Sequence, residues 1–245
     1  MKKIFWPIAI LMAILAAVIV KDIKTVMERV KISEGLARGN KPYTQNLPQS
    51  EQRILILGDS AAAGVGADNP RDSIAGRLGA DFPEAYVINQ GMPGRDLSEL
   101  LADFPRYPTK HLKLAVIMVG ANDIINFTRI KNIERDLRLA VEKATLMANH
   151  VLILHSGNLG VAPFFPKTIG WIYTLRTLQV RRAYQRVAQE TGVIYVDLYA
   201  SRRDDPFLKD TAKFYASDGL HLTDEGYGVW HKKIRAAMQD ANIKI

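Results

Sequence analysis

The sequence contains no cysteine. That excludes disulfides, thiolate nucleophiles and cysteine-bound zinc, and it leaves the redox compartment unread. No long Lys/Arg run with interleaved aromatics is present, so nucleic acid is not an expected partner despite a net charge of +8. Half of that charge, +4, belongs to residues 1–52, and the rest of the chain is only mildly basic. No internal repeat or low-complexity segment is evident. The 245 residues suffice for one well-buried domain with an appendage.

One further absence concerns the amino terminus. After the basic residues 1–3, an apolar run extends from Ile4 to Val20 without the A-x-A cleavage site of a secretory signal. Residues 4–20 therefore read as a retained transmembrane anchor in preference to a cleaved signal sequence. Ile23, Val26, Met27 and Val30 continue at helical spacing, as in a stalk. From Ala37 to Gln52 the composition turns polar, with Gly39, Pro42 and Pro48, so residues 21–52 read as helical stalk and polar linker. Lys/Arg residues flank the run on both sides and do not fix orientation. Starts of this kind usually send the downstream chain across a membrane, so the domain over 53–245 is expected outside the cytoplasm, in the periplasm or at the cell surface.

Five apolar runs in that domain read as strands: Arg53–Gly58, Ala85–Asn89, Leu112–Gly120, His150–His155 and Val193–Leu198. Helical patterns alternate with them, near Ser73–Asp81, Leu97–Phe104, Ile133–Asn149, Ile172–Thr191 and Asp224–Ala241, the last with Thr223 as N-cap. Alternation of this kind predicts an α/β domain with a parallel sheet covered on both faces. Such sheets bind ligands beyond the carboxyl ends of their strands.

Ser60, Gly94 and Asn122 all follow strand ends. Ser60 lies in Gly58-Asp59-Ser60, where it could be a helix cap or a nucleophile activated by a base. Asn122, in Gly120-Ala121-Asn122-Asp123, could steady a turn or donate its amide to an oxyanion. Gly94 could point its N–H at a ligand, and Gly91 competes for that role. Near the carboxyl terminus, Asp218-Gly219-Leu220-His221 offers an imidazole with a carboxylate three residues before it. A neutral imidazole can take a serine proton and return it to a leaving group, and turnover should then rise with pH between 5 and 8. His155, after the fourth strand, is the rival base.

These four blocks, in this order, resemble the SGNH or GDSL hydrolase family over roughly residues 53–240. The resemblance implies a three-layer α/β/α flavodoxin-like fold with a five-stranded parallel sheet. It further implies a serine esterase or lipase with Ser60 as nucleophile, His221 as base and Asp218 as its partner. The N–H groups of Ser60 and Gly94 and the Asn122 amide would form an oxyanion hole. It implies no metal and no cofactor. Arg95 follows the second-block glycine where the family often has Asp, which bears on substrate preference.

The substrate class stays open between lipid or short acyl esters and a glycan ester. Phe164 and Phe165, in the Gly/Pro-rich stretch after strand four, are candidates for an acyl-pocket wall or a packed connection. Arg176, Arg181, Arg182 and Arg186 read as a solvated helix face. Competing functions are a carbohydrate O-acetylesterase or O-acyltransferase, an anchored non-catalytic binding module, and a metal phosphoesterase built on Asp59, Asp123, Asp218 and His221.

Overall fold

The computed structural model describes residues 2–104, 111–243 and 245, apart from the side chains of residues 2–5 and 7. Its centre is one parallel sheet of five strands: β1 (Arg53–Gly58), β2 (Tyr86–Gly91), β3 (Leu112–Met118), β4 (Ala148–Leu154) and β5 (Ile194–Tyr195). Their order across the sheet is β2-β1-β3-β4-β5. Almost every residue of β1 and β3 is buried, as strands covered on both faces require. The order reverses between β1 and β3, and their carboxyl ends lie at the crevice where such sheets bind ligands.

Helices α3 (Ile74–Asp81) and α9 (Asp224–Asp240) pack on each other. Helices α4 (Leu97–Asp103), α6 (Ile130–Thr145) and α7 (Gly170–Thr191) form a second group, with α6 in contact with both neighbours. The sheet is thus flanked by helices, as expected. Side chains at the expected starts satisfy the first N–H groups: Ser73 for α3, Asp96 in a capping box for α4, and Thr223 for α9.

Several boundaries shift by one to three residues: β2 runs to Gly91, β3 ends at Met118 and α6 begins at Ile130. Strand β4 starts at Ala148, two residues early, which stops α6 at Thr145. Strand β5 shortens to Ile194–Tyr195, because Asp197 leaves the ladder to pair with Arg181. That pair, with Glu134–Arg186 and the Arg176 bond to the Thr128 carbonyl, makes three of the four α7 arginines internal ties.

The appendage is a single helix, α1 (Lys2–Gly39), followed by an extended segment. Val26 and Tyr43 pack against the core. The segment that reads as a polar linker is pinned along the outer edge of β2. Gln45 and Val87 exchange both backbone bonds at 3.1 Å, and the Gln45 amide donates to the Ala85 carbonyl at 2.7 Å. Ser50 donates to the Glu84 carbonyl at 2.6 Å. Backbone pairing of this kind covers an otherwise open sheet edge.

The span expected over 4–20 is not confirmed. Among the described residues no helix is long and apolar enough to cross a membrane. The side chains of residues 4, 5 and 7, like the basic residues 1–3, lie outside those described.

Candidate active site

Ser60 opens a four-residue helix, α2 (Ser60–Ala63), directly beyond the end of β1. Asp59 caps that helix, its carboxylate accepting the Ala61 N–H at 2.9 Å. The capping role open to Ser60 therefore falls to its neighbour, and the Ser60 hydroxyl turns to His221. Ser60 Oγ and His221 Nε2 are 2.8 Å apart across 161 positions of sequence. His221 Nδ1 lies 2.6 Å from Asp218 Oδ2. The N–H groups of Leu220 and His221 donate to Asp218 Oδ1 at 2.9 and 3.1 Å.

Burial pushes the Asp218 carboxyl upward. The His221 hydrogen bond and charge, with the two backbone donors, outweigh that and hold it below its ordinary value. An ionised carboxylate only accepts, so Nδ1 carries the ring proton and Nε2 accepts from Ser60.

Two buried tyrosines brace the elements that carry these groups. The Tyr227 hydroxyl, on α9, donates to the Val65 carbonyl at 2.8 Å and ties the region after His221 to the segment after Ser60. The Tyr184 hydroxyl donates to the Val119 carbonyl at 2.7 Å, where β3 leads into the short helix Ala121–Ile125 that carries Asn122. The backbone of the Asp218–His221 loop is held by a bond from the Phe164 N–H to the Gly219 carbonyl at 2.9 Å.

Gly94 and Asn122 line the same cleft as Ser60 and His221. Gly91 and Gly94 differ in their surroundings. A Cβ on Gly91 would lie 2.2 Å from the Ala63 nitrogen, so Gly91 is a packing glycine. Gly94 has φ of +85° and open space around its missing Cβ, so its backbone is exposed to an incoming ligand. The Asn122 amide donates to the Arg95 carbonyl at 2.9 Å. The Arg95 side chain is buried, paired with Asp103 at 2.8 Å and bonded to the Gln90 carbonyl. It acts as a strut beneath the loop and does not line the cleft.

Other candidates lie elsewhere. Phe164 and Phe165 are only 8% and 7% exposed and belong to the core. Phe165 stacks on Tyr173 with ring centroids 3.9 Å apart, and neither phenylalanine lines the cleft. His155 is buried, its Nε2 3.0 Å from the Tyr195 hydroxyl, and burial pushes its pKa down to about 4. The proposed metal set does not assemble: no group of three His, Cys, Asp or Glu among the described residues could hold an ion. Asp59 caps α2, and Asp123 accepts the Leu97 N–H at 3.1 Å. Burial raises both of these carboxyls to about 6.

The cleft encloses about 330 Å³. Its apolar lining includes Leu220, from the Asp218–His221 block, and Ile125, Leu159, Ala162, Phe207 and Trp230, which stand outside the four blocks. From the amino-terminal helix come Ser33, Glu34 and Ala37.

A serine, an imidazole and a buried carboxylate hydrogen-bonded in series at the carboxyl end of a parallel sheet form the arrangement of serine hydrolases. The chain belongs to the GDSL-like lipase/acylhydrolase family, whose model matches residues 56–229. No curated protein matches it by sequence. Among solved structures it is similar to a member of the lipolytic G-D-S-L family from Veillonella parvula DSM 2008, at 18% identity and a TM-score of 0.61. That match covers 76% of this chain and 97% of the other. It is similar to TesA at 21% identity and a TM-score of 0.59, covering 77% and 99% of the two chains. Axe2, an acetylxylan esterase from Geobacillus stearothermophilus, matches at 18% identity and a TM-score of 0.55, covering 77% and 94%. At these identities the likeness establishes the fold.

Proposed function

We propose that the protein is a carboxylic ester hydrolase working through an acyl-Ser60 intermediate. One observation carries this reading: the continuous hydrogen-bonded series from Asp218 through His221 to Ser60, at 2.6 and 2.8 Å. Ser60 Oγ attacks the ester carbonyl carbon while His221 Nε2 takes its proton. The developing oxyanion meets the N–H groups of Ser60 and Gly94 and the Asn122 amide. His221 then protonates the departing alkoxide, which leaves as the alcohol, and Asp218 stabilises the imidazolium formed in between. In the second half, His221 draws a proton from water, the hydroxide attacks the acyl carbon, and Ser60 leaves as the free hydroxyl.

The apolar lining favours esters with a hydrocarbon acyl group. The large apolar residues from Trp6 to Val20 stand exposed along α1, which supports a tether that holds the domain at a membrane surface.

Labelling with a fluorophosphonate probe, combined with p-nitrophenyl esters from acetate to decanoate, tests the enzyme reading. The full-length protein should label and turn over, and Ser60→Ala should do neither while keeping its circular dichroism. Undiminished turnover in that variant would refute the mechanism. Release of acetate from acetylated glycans, without turnover of longer esters, would favour the O-acetylesterase reading.

A further inference from the structure

The amino-terminal helix does more than connect. The family model begins at residue 56, so α1 lies outside the matched region, yet three of its residues line the cleft beside Ser60. Ser33 and Ala37 are four residues apart and so share one helix face, with Glu34 beside them. The docking is built along the helix. Asp22 accepts from the Thr168 hydroxyl at 2.7 Å, and the Arg29 guanidinium donates to the Pro163 carbonyl. Asn40, just past the helix end, donates to the Ala63 carbonyl at 3.0 Å, one short helix away from Ser60. These contacts bracket the lining residues on both sides, so the helix face is held against the cleft.

We infer that α1 is a wall of the ester-binding cleft and that Ser33, Glu34 and Ala37 select the substrate, a role that rests on the hydrolase reading of Ser60. The wall brings two polar side chains to a cleft whose lining is mainly apolar. Ser33 offers a hydroxyl and Glu34 a carboxylate, while Ala37 leaves room that a larger residue would fill. The site therefore takes an ester with an apolar arm on Leu159, Ala162 and Leu220 and a neutral, hydroxyl-bearing arm against α1. An anionic arm is disfavoured by Glu34, whose charge the exposed Arg38 guanidinium 3.6 Å away offsets only in part.

The absence of cysteine makes the test direct. In the full-length protein, Ala37→Cys and Gly35→Cys each introduce the single thiol, at a half-buried and an exposed position on α1. Maleimide should modify Ala37→Cys about tenfold more slowly than Gly35→Cys, with the difference erased in urea. Ala37→Leu should lower kcat/KM for the glycerol ester of decanoate relative to its methyl ester by about fivefold or more. Glu34→Lys should raise the relative kcat/KM of an anionic hemisuccinate ester by about threefold at low ionic strength. Equal thiol rates, or ester ratios unchanged in both variants, would overturn the wall. A parent protein without turnover or fluorophosphonate labelling would strike the hydrolase reading instead, and the thiol rates would still report whether α1 is docked.

Discussion

The Asn122 side-chain amide donates to the backbone carbonyl of Arg95, 2.9 Å away and 27 positions earlier in the chain. That bond couples the loop after β2, which carries Gly94, to the short helix Ala121–Ile125 after β3, which carries Asn122. Both candidate oxyanion donors thus belong to one braced unit, with the buried Arg95–Asp103 pair beneath it.

Replacing Asn122 with alanine should remove one donor and loosen the other. Turnover of a short p-nitrophenyl ester should fall by about 10²–10³ in kcat with a smaller change in KM. A loss confined to KM would assign Asn122 to substrate binding instead.

Asp218→Asn should lower kcat by about 10⁴, because an amide can present an N–H to Nδ1 and favour the wrong imidazole tautomer. Fluorophosphonate labelling of Ser60 should slow in parallel. Full labelling at the parent rate would show that the carboxylate is structural only.

The two glycines after β2 should respond differently to alanine. At Gly91 the new Cβ would meet the Ala62–Ala63 backbone, so Gly91→Ala should cut soluble yield and melting temperature. At Gly94 the space is open, and only the positive φ is strained, by about 1–2 kcal/mol. Gly94→Ala should fold and lose activity. Reversed outcomes would exchange their roles.

Phe165→Ala should destabilise the fold by about 3–5 kcal/mol, as for a buried aromatic leaving a cavity. It should leave the order of preference among acyl chain lengths as it was. A shifted preference, measured alongside denaturant midpoints, would return this residue to the substrate site.

Asp59 and Asp123 have carboxyls raised to about 6, so between pH 4 and 6 the folded protein holds protons that the unfolded chain has released. Their contribution to stability therefore falls as pH rises through that window and is level above it. The lowered pKa of His155 acts in the opposite sense over the same range, so the two must be separated by a variant. Asp123→Asn should gain stability relative to the parent between pH 4 and 6.5, by on the order of 3 kcal/mol at ~1.4 kcal/mol per pKa unit. A difference independent of pH would contradict the assignment.

Much of the site was legible because its chemistry sits in short motifs at strand ends. Ser60, Asn122 and the Asp218–His221 pair each stand next to the element that aims them. Phe164 and Phe165 misled because an aromatic pair in a Gly/Pro-rich loop has the same composition whether it faces a cleft or a core. The lining residues Phe207 and Trp230 carried no signal, since nothing in their own neighbourhoods distinguishes them from packing residues. The segment 40–52 reads as linker because its ties are made mainly by backbone groups and by Gln45 and Ser50, which composition cannot tell from solvated ones.

The sequence by itself determined the parallel α/β sheet, because continuous apolar runs alternating with amphipathic helices bury their surface in few other ways. It also determined which residues could supply a nucleophile, a base and an acid partner. Tertiary structure alone decided which glycine faces the cleft, that Arg95 turns inward, and that α1 lies against the site. The glycine and α1 depend on contacts between segments far apart in the chain, and Arg95 on how the loop after β2 folds back on α4, so geometry and not local pattern fixes what each side chain meets.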